Sequence, residues 1–190
     1  MNNPWMQTYT GLAAHPLNLE PEQITIEDIA HSLALTCRFR GHCRTFYSVA
    51  QHSVLACQQA PAGLKRAALL HDAAETYTGD TITPVKGLVT CNGMSMDEHE
   101  YAITSRIFET FGVPLPSFSE DELIKRIDNR LVMTEARDLL TPPPMPWDVD
   151  AEPYDFKIVP WPWEVAERRF LGCFRCLYER GEEGIVCERD

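Results

Sequence analysis

Leu69-Leu70-His71-Asp72-Ala73-Ala74-Glu75 is the most informative stretch of this 190-residue chain. Its background is apolar and helical: with Leu64, Ala67, Ala68 and Leu70 on one side, the spacing predicts a helix from about residue 62 to 76, stopped by Gly79. A His-Asp dipeptide is out of place in such a helix. An unpaired carboxylate is expensive to remove from water, and the cost falls if a cation is its partner. Glu75 lies one turn beyond His71 and is expected on the same face. Asp72 lies about 100° round the axis from His71, and two short side chains can still converge on one ion off that face.

Working outward, the rest of the chain is also dominated by helical periodicity. Thr25, with Asp28 three residues on, is expected to cap a helix through Ile26, Ile29, Leu33 and Leu35. Ser48 opens a second helix to about Gln59, ended by Pro61-Ala62-Gly63, and Thr83-Pro84 starts a short turn with Pro at the favoured first position. Ser95 opens a helix through Tyr101, Ile103, Ile107, Phe108 and Phe111, and Ser119 opens another to about Leu140. The run Thr141-Pro-Pro-Pro-Met-Pro146 cannot be helical and reads as an extended connector. A last helix is expected from Trp163 to Arg180, then a frayed acidic tail, Gly181 to Asp190. Strand signals are weak, with short extended pieces at most over 5–12 and 155–160.

The fold expectation is one all-α domain, a helical bundle of about six main helices. An extended segment over 1–24 precedes a helical core over 25–140, a Pro-rich connector over 141–160 and a C-terminal helix with its tail over 161–190.

Charge and cysteine usage narrow the function. Lys plus Arg is 17 and Asp plus Glu 28, a net charge of −11, which disfavours a nonspecific grip on a nucleic acid polymer. Residues 1–71 carry five basic and four acidic side chains, so the acidity belongs to the remainder. An anionic small substrate therefore needs local help from a metal or from the arginines of the first third. No apolar run is long enough to span a membrane, and the N-terminus lacks the pattern of a secretory signal. Seven cysteines, an odd count, read as reduced thiols of a cytoplasmic protein. Cys173 and Cys176 form the one CxxC; Cys187 alone cannot complete a zinc site, so the pair reads as packing.

Two further residues interrupt apolar helices as His71-Asp72 does: His52, in Tyr47-Ser-Val-Ala-Gln-His52-Ser, and Asp128, in Ile124-Lys-Arg-Ile-Asp128-Asn-Arg. Each alone has a bland explanation, as a satisfied polar residue or a wet helix face. Together, three successive helices can bring His52, His71, Asp72 and Asp128 to one point. Two imidazoles and two carboxylates form a mixed N/O set that suits a divalent transition metal rather than a sulfur-ligated structural zinc.

The order H…HD…D on successive helices resembles the HD-domain metal-dependent phosphohydrolases, and most closely the bacterial 5'-deoxynucleotidase branch with its phage and prophage relatives. The stretches that carry this are Tyr47–Ser53, His71-Asp-Ala-Ala-Glu-Thr-Tyr-Thr-Gly-Asp-Thr-Ile-Thr-Pro-Val-Lys86, and Ile127-Asp128. The resemblance extends more loosely over about 25–140 and fades beyond the proline run. It implies an HD fold, with His52, His71, Asp72 and Asp128 as metal ligands and Glu75 and Asp80 as catalytic acids near the attacking water. It also implies that Arg38 grips phosphate while Phe39 lies near sugar or base, and it implies a homodimer or higher homo-oligomer. The cofactor is expected to be a divalent ion (Mn, Co, Zn, Fe, Ni or Mg). Arg40, His42 and Lys86 are further candidates for contact with a small-molecule nucleotide.

Elementary chemistry is compatible with these roles: a metal acidifies water and polarises a phosphoryl oxygen, and a neighbouring carboxylate takes the proton. Three functions follow as expectations. The first is hydrolysis of deoxynucleoside 5'-monophosphates; the second is release of triphosphate from a dNTP such as dATP; the third is an inactive nucleotide-binding protein, which has no need of Glu75 and Asp80. Elsewhere, Arg44 is read as loop or pocket mouth, His99 as an exposed helix face, and Glu135 with Arg137 and Asp138 as surface pairs. His15 and His31 show no partner pattern. The stripe Phe170, Phe174, Leu177 is read as helix packing, and Trp161 and Trp163 as a core cap or dimer surface.

Overall fold

A computed structural model of the chain describes residues 4–91 and 93–179; Arg180, Cys187 and the expected tail lie outside the described residues. The fold is helical, with five helices of ten residues or more among the described residues: α1 (Ile26–Leu35), α2 (Val49–Gln59), α6 (Met96–Thr110), α7 (Phe118–Leu139) and α8 (Trp163–Glu179). Shorter ones intervene: α3 (Lys65–Leu70), α4 (Glu75–Thr78) and α5 (Thr83–Lys86). Two antiparallel pairs of two-residue strands complete it, β1 (Met6–Gln7) with β2 (Ala13–Ala14) and β3 (Thr90–Cys91) with β4 (Met94–Ser95). The first lies in the segment expected to be extended; residues 155–160 form no strand.

The caps explain where the helices start. Thr25 and Ser48 accept the backbone N–H groups of Asp28 and Gln51, and Ser95 forms a reciprocal box with Glu98. The cap of helix α7 lies two residues before the expected one. Ser117 and Ser119 both carry Glu three residues on, and it is Ser117 that closes a box with Glu120. In α5 the proline occupies the second helical position rather than the first.

Helix α2 is the centre of the bundle and packs against α1, α3, α7 and α8. Its small residues permit close approach, and it is buried nearly all round, from Val49 through Val54 and at Ala56 and Cys57. Ile29, Leu33, Leu69, Leu70, Ile107, Phe170 and Leu177 fill the main core around it. Leu131 and Ile127 of α7 meet Ala56, Ala60, Leu64 and Ala68 in a second cluster. Phe170 and Leu177 are buried and Phe174 partly so; Cys173 is buried on the same face.

The flanking segments are tied down by polar contacts. Buried Asp28 accepts from the Thr10 N–H (2.7 Å) and from the Thr10 and Thr25 hydroxyls, holding the first hairpin to α1. His31 stacks on Tyr9 and sits 3.4 Å from Glu167, partners that no local spacing announced. The connector is strapped to α7 by Arg137, which donates to the Tyr154 and Phe156 carbonyls, and by Asp138, which accepts the Ile158 N–H. Gln51 of α2 holds it from the other side, donating to the Val159 carbonyl and accepting from the Trp161 N–H. No described helix is long and apolar enough to cross a membrane.

Candidate metal centre

His52 comes from the middle of α2, His71 and Asp72 from just beyond α3, and Asp128 from the middle of α7. Around His52 Nε2 lie His71 Nε2 at 3.2 Å, Asp128 Oδ1 at 3.2 Å and Asp72 Oδ2 at 3.5 Å. His71 Nε2 is 3.4 Å from Asp72 Oδ1. Four donors each about 2.0–2.1 Å from an ion would sit about 3.3 Å from one another in a tetrahedron. His52, His71 and Asp72 thus form a group able to hold a metal ion, and Asp128 stands at that spacing from His52.

The expected helix over 62–76 is broken here. After Leu70 the N–H groups of Ala73, Glu75, Thr76 and Tyr77 donate three residues back rather than four. The imidazole of His71 supplies the reason: its Nδ1 donates to the Ala68 carbonyl at 2.8 Å, the acceptor that the Asp72 N–H would use in a continuing α-helix. The same bond fixes the ring, because a carbonyl can only accept, so Nδ1 carries the hydrogen and Nε2 presents a lone pair. His52 is fixed likewise, its Nδ1 donating to Glu135 Oε1 at 2.7 Å. In their neutral forms the two imidazoles would turn lone pairs towards each other at 3.2 Å, an arrangement that a cation between them, or a proton on His52 Nε2, stabilises.

Glu135 corrects the surface reading. It is fully buried and also accepts from the Tyr47 hydroxyl (2.9 Å) and Arg38 Nε (3.1 Å). Arg137 and Asp138 do pair, at 2.9 Å, on the outer side of α7. A sequence signal for Glu135 exists: Asp128, Leu131 and Glu135 recur at i, i+3 and i+7, one inward stripe of α7. Arg38 is buried too, reaching Asp72 Oδ2 with Nη1 (3.3 Å) and approaching Asp128 Oδ1 with Nη2 (3.9 Å).

The electrostatics follow from this packing. Burial and the Arg38 charge push His52 down, but Glu135 and hydrogen bonding to Asp128 and Glu135 prevail and raise it to about 10. Burial opposes ionisation of Asp72, yet His71, His52 and Arg38 together hold it below the usual carboxylate range. Asp128 and Glu135 are held low for similar reasons against their burial. This pocket favours positive charge.

One side of the centre opens into a cleft of about 320 Å³, lined by His71, Asp72, Glu75 and Asp128 and also by Asp97, Glu100, Tyr101, Asp121 and Lys125. Glu75 is only 7% exposed, and its Oε2 has no hydrogen-bond partner; nor does Asp80 Oδ2. Burial, then the charges of Asp72 and Asp80, raise Glu75 to about 9.

The other candidates are placed differently. Lys86 donates to Glu100 instead of standing free for phosphate. Arg40 and His42 are exposed and do not line the cleft; His42 lines a second hollow formed with the proline run and Trp147. Phe39 meets Trp147 edge-on at 6.1 Å. Phe39 and Arg40 hold φ of 53° and 50°, a strained left-handed pair directly after Arg38. Arg44 donates to the Asp138 carbonyl. His99 is buried, not exposed, because it shares the four-residue stripe with Ile103 and Ile107, whereas Tyr101, about 200° away, is 67% exposed.

Among known proteins, the chain is 38% identical over 135 residues to the uncharacterized protein YfdR of Escherichia coli K12, a match covering 71% of this chain and 72% of that one. The chain belongs to the YfdR family. A second relative, the uncharacterized protein RCAP_rcc00048 of Rhodobacter capsulatus, is 37% identical over 123 residues, 60% of this chain and 61% of its own length. No model of a known protein family matches the chain. The names of these two relatives state no activity.

Proposed function

We propose that this YfdR-family protein is a metal-dependent phosphohydrolase of the HD type that hydrolyses deoxynucleoside 5'-monophosphates to nucleoside and phosphate. The observation that carries the reading is the convergence of His52, His71 and Asp72, with Asp128 3.2 Å from His52, at an open cleft beside a buried carboxyl group with an unpaired oxygen. The donor set fits a divalent ion: both Nε2 atoms are directed inward by their Nδ1 bonds, and the carboxylates supply negative charge. When bound, such an ion supplies the charge that acidifies a water and polarises a phosphoryl oxygen.

The chain's own groups do the rest. Glu75 stands where it can take a proton from attacking water; an ion that offsets the Asp72 charge removes one of the causes holding its proton on. Asp80, whose charge acts on Glu75, would help orient water or return a proton to the leaving oxygen. Arg38 can turn its two Nη groups to phosphate while Nε stays anchored on Glu135. Support for a deoxynucleotide comes from the resemblance of His71–Lys86 to the 5'-deoxynucleotidase branch. Support for one phosphate rather than three comes from the cleft, whose lining sets Asp97, Glu100 and Asp121 against Lys125. A homodimer acting on cytoplasmic nucleotides completes the proposal.

The test is incubation of manganese- or cobalt-loaded protein with dAMP and dATP, followed by separation of products. Inorganic phosphate from dAMP is expected. Triphosphate from dATP would replace the substrate assignment, and tight nucleotide binding without turnover would refute the enzyme.

A further inference from the structure

Glu135 has no place in the chemistry derived so far, yet it bonds three groups around the centre. Its Oε1 accepts from His52 Nδ1 and the Tyr47 hydroxyl, and its Oε2 accepts from Arg38 Nε. One rigid carboxylate, fully buried on α7, thereby fixes a donor ring on α2 and the guanidinium of the turn after α1. Arg38 carries the linkage onward to Asp72 at 3.3 Å and towards Asp128 at 3.9 Å. The guanidinium is therefore a positive charge that Asp72 and Asp128 face, alongside His52 at 3.5 and 3.2 Å.

We infer that Glu135 is the positioning residue of the centre: it aims His52 Nε2 at the ion and pivots Arg38, which stands in for the ion until one binds and then turns its free Nη groups to phosphate. The inference rests on the reading of the cleft as a metal centre. A carboxylate hydrogen-bonded to the far nitrogen of a ligand histidine fixes its tautomer and strengthens it as a donor. Pivoting at Nε leaves both Nη groups free, so the anchor and the anion do not compete for the same hydrogens. Because the carboxylates engaged by Arg38 are those the ion would take, the arginine becomes available for anion only as the ion arrives. Phosphate binding should thus depend on metal occupancy.

The experiment titrates metal-free protein with Co²⁺, read by visible absorption, for wild type, Glu135→Gln and Thr134→Val. Thr134 is the neighbour of Glu135 on α7 and is equally buried, but its hydroxyl serves the Arg130 carbonyl and the Tyr154 N–H, away from the centre. Glu135→Gln keeps the side chain's shape and is expected to weaken cobalt binding by about tenfold to a hundredfold. Thr134→Val is expected to lower Tm while keeping cobalt affinity within about twofold, the mark of a purely structural loss. Inorganic phosphate, titrated calorimetrically, should bind cobalt-saturated wild type and not the ion-free protein, and should bind cobalt-saturated Glu135→Gln several times more weakly.

Unchanged cobalt affinity in Glu135→Gln, equal losses in both variants, or equally tight phosphate binding with and without cobalt would overturn the inference. Wild type that bound no cobalt would overturn the metal centre itself, and the inference with it. Normal cobalt and phosphate binding without nucleotide turnover would refute only the proposed enzyme.

Discussion

The inner and outer halves of the centre are built on opposite terms. On the inner side, Glu135, Tyr47, Arg38 and the Nδ1 of His52 are buried and mutually paired. On the outer side, Glu75 and Asp80 each keep a buried oxygen without a partner, and Glu100 has one as well although Lys86 binds its other oxygen. Buried polar atoms are normally satisfied, so an unpaired cluster is a place where a reacting group, water or ion is expected to supply the missing partner. The difference teaches a division of labour: the paired half holds geometry, and the unpaired half is left free to exchange protons.

Removing a ligand should have the largest effect. Asp72→Ala deletes a donor and an Arg38 partner, and both metal binding and nucleotide hydrolysis are expected to fall to background. Elemental analysis and product release measure it, and a variant that kept its metal and rate would sink the site assignment. Glu75→Gln attacks the unpaired half alone. Metal content should stay at the wild-type level while the rate falls about a hundredfold or more, as for a lost general base. An unchanged rate would remove Glu75 from the mechanism; lost metal would merge the two halves into one.

The smallest expected effect is on stability against pH. His52 is raised from 6.5 to about 10 and Glu75 from 4.5 to about 9, so both bind more protons folded than unfolded. Their contributions are complete below the unfolded values and are lost as pH rises through the folded ones. The depressed acids Asp72, Asp128 and Glu135 act in the acid range and do not offset this. With chelator present, Tm should fall by several degrees between about pH 6.5 and 9, and manganese should reduce the fall by taking the place of the proton. A flat Tm profile in chelator would count against the paired half as a cation trap.

Much of the helical frame was legible because helix ends are local. Thr25, Ser48 and Ser95 cap where their spacing said they would, since a hydroxyl and an N–H three residues on need nothing from elsewhere. The meeting of His52, His71 and Asp72, with Asp128 near His52, could be anticipated from polar interruptions in apolar helices. Glu135 could not be told from a surface acid by its neighbours Arg137 and Asp138; only its phase relative to Asp128 and Leu131 set it apart. The burial of His99 was likewise a matter of phase, masked by the acidic residues around it. The break after Leu70 was invisible to periodicity, because a side chain rather than a proline or glycine caused it. The direction of Arg40 and His42 was set by the left-handed turn at Phe39, which sequence spacing does not encode.

That break gives His71 a second office. Per residue, an i→i−3 turn advances about 120°, whereas an α-helix advances about 100°. By capturing the Ala68 carbonyl, the ring winds the segment towards Glu75 more tightly and so sets the compass bearing of the residues after it. A substitution here would do more than subtract one donor: the chain would be free to run on as ordinary helix, carrying Asp72 and Glu75 round with it. Asparagine or glutamine, offered as a gentle replacement, would have to reproduce a hinge as well as a nitrogen.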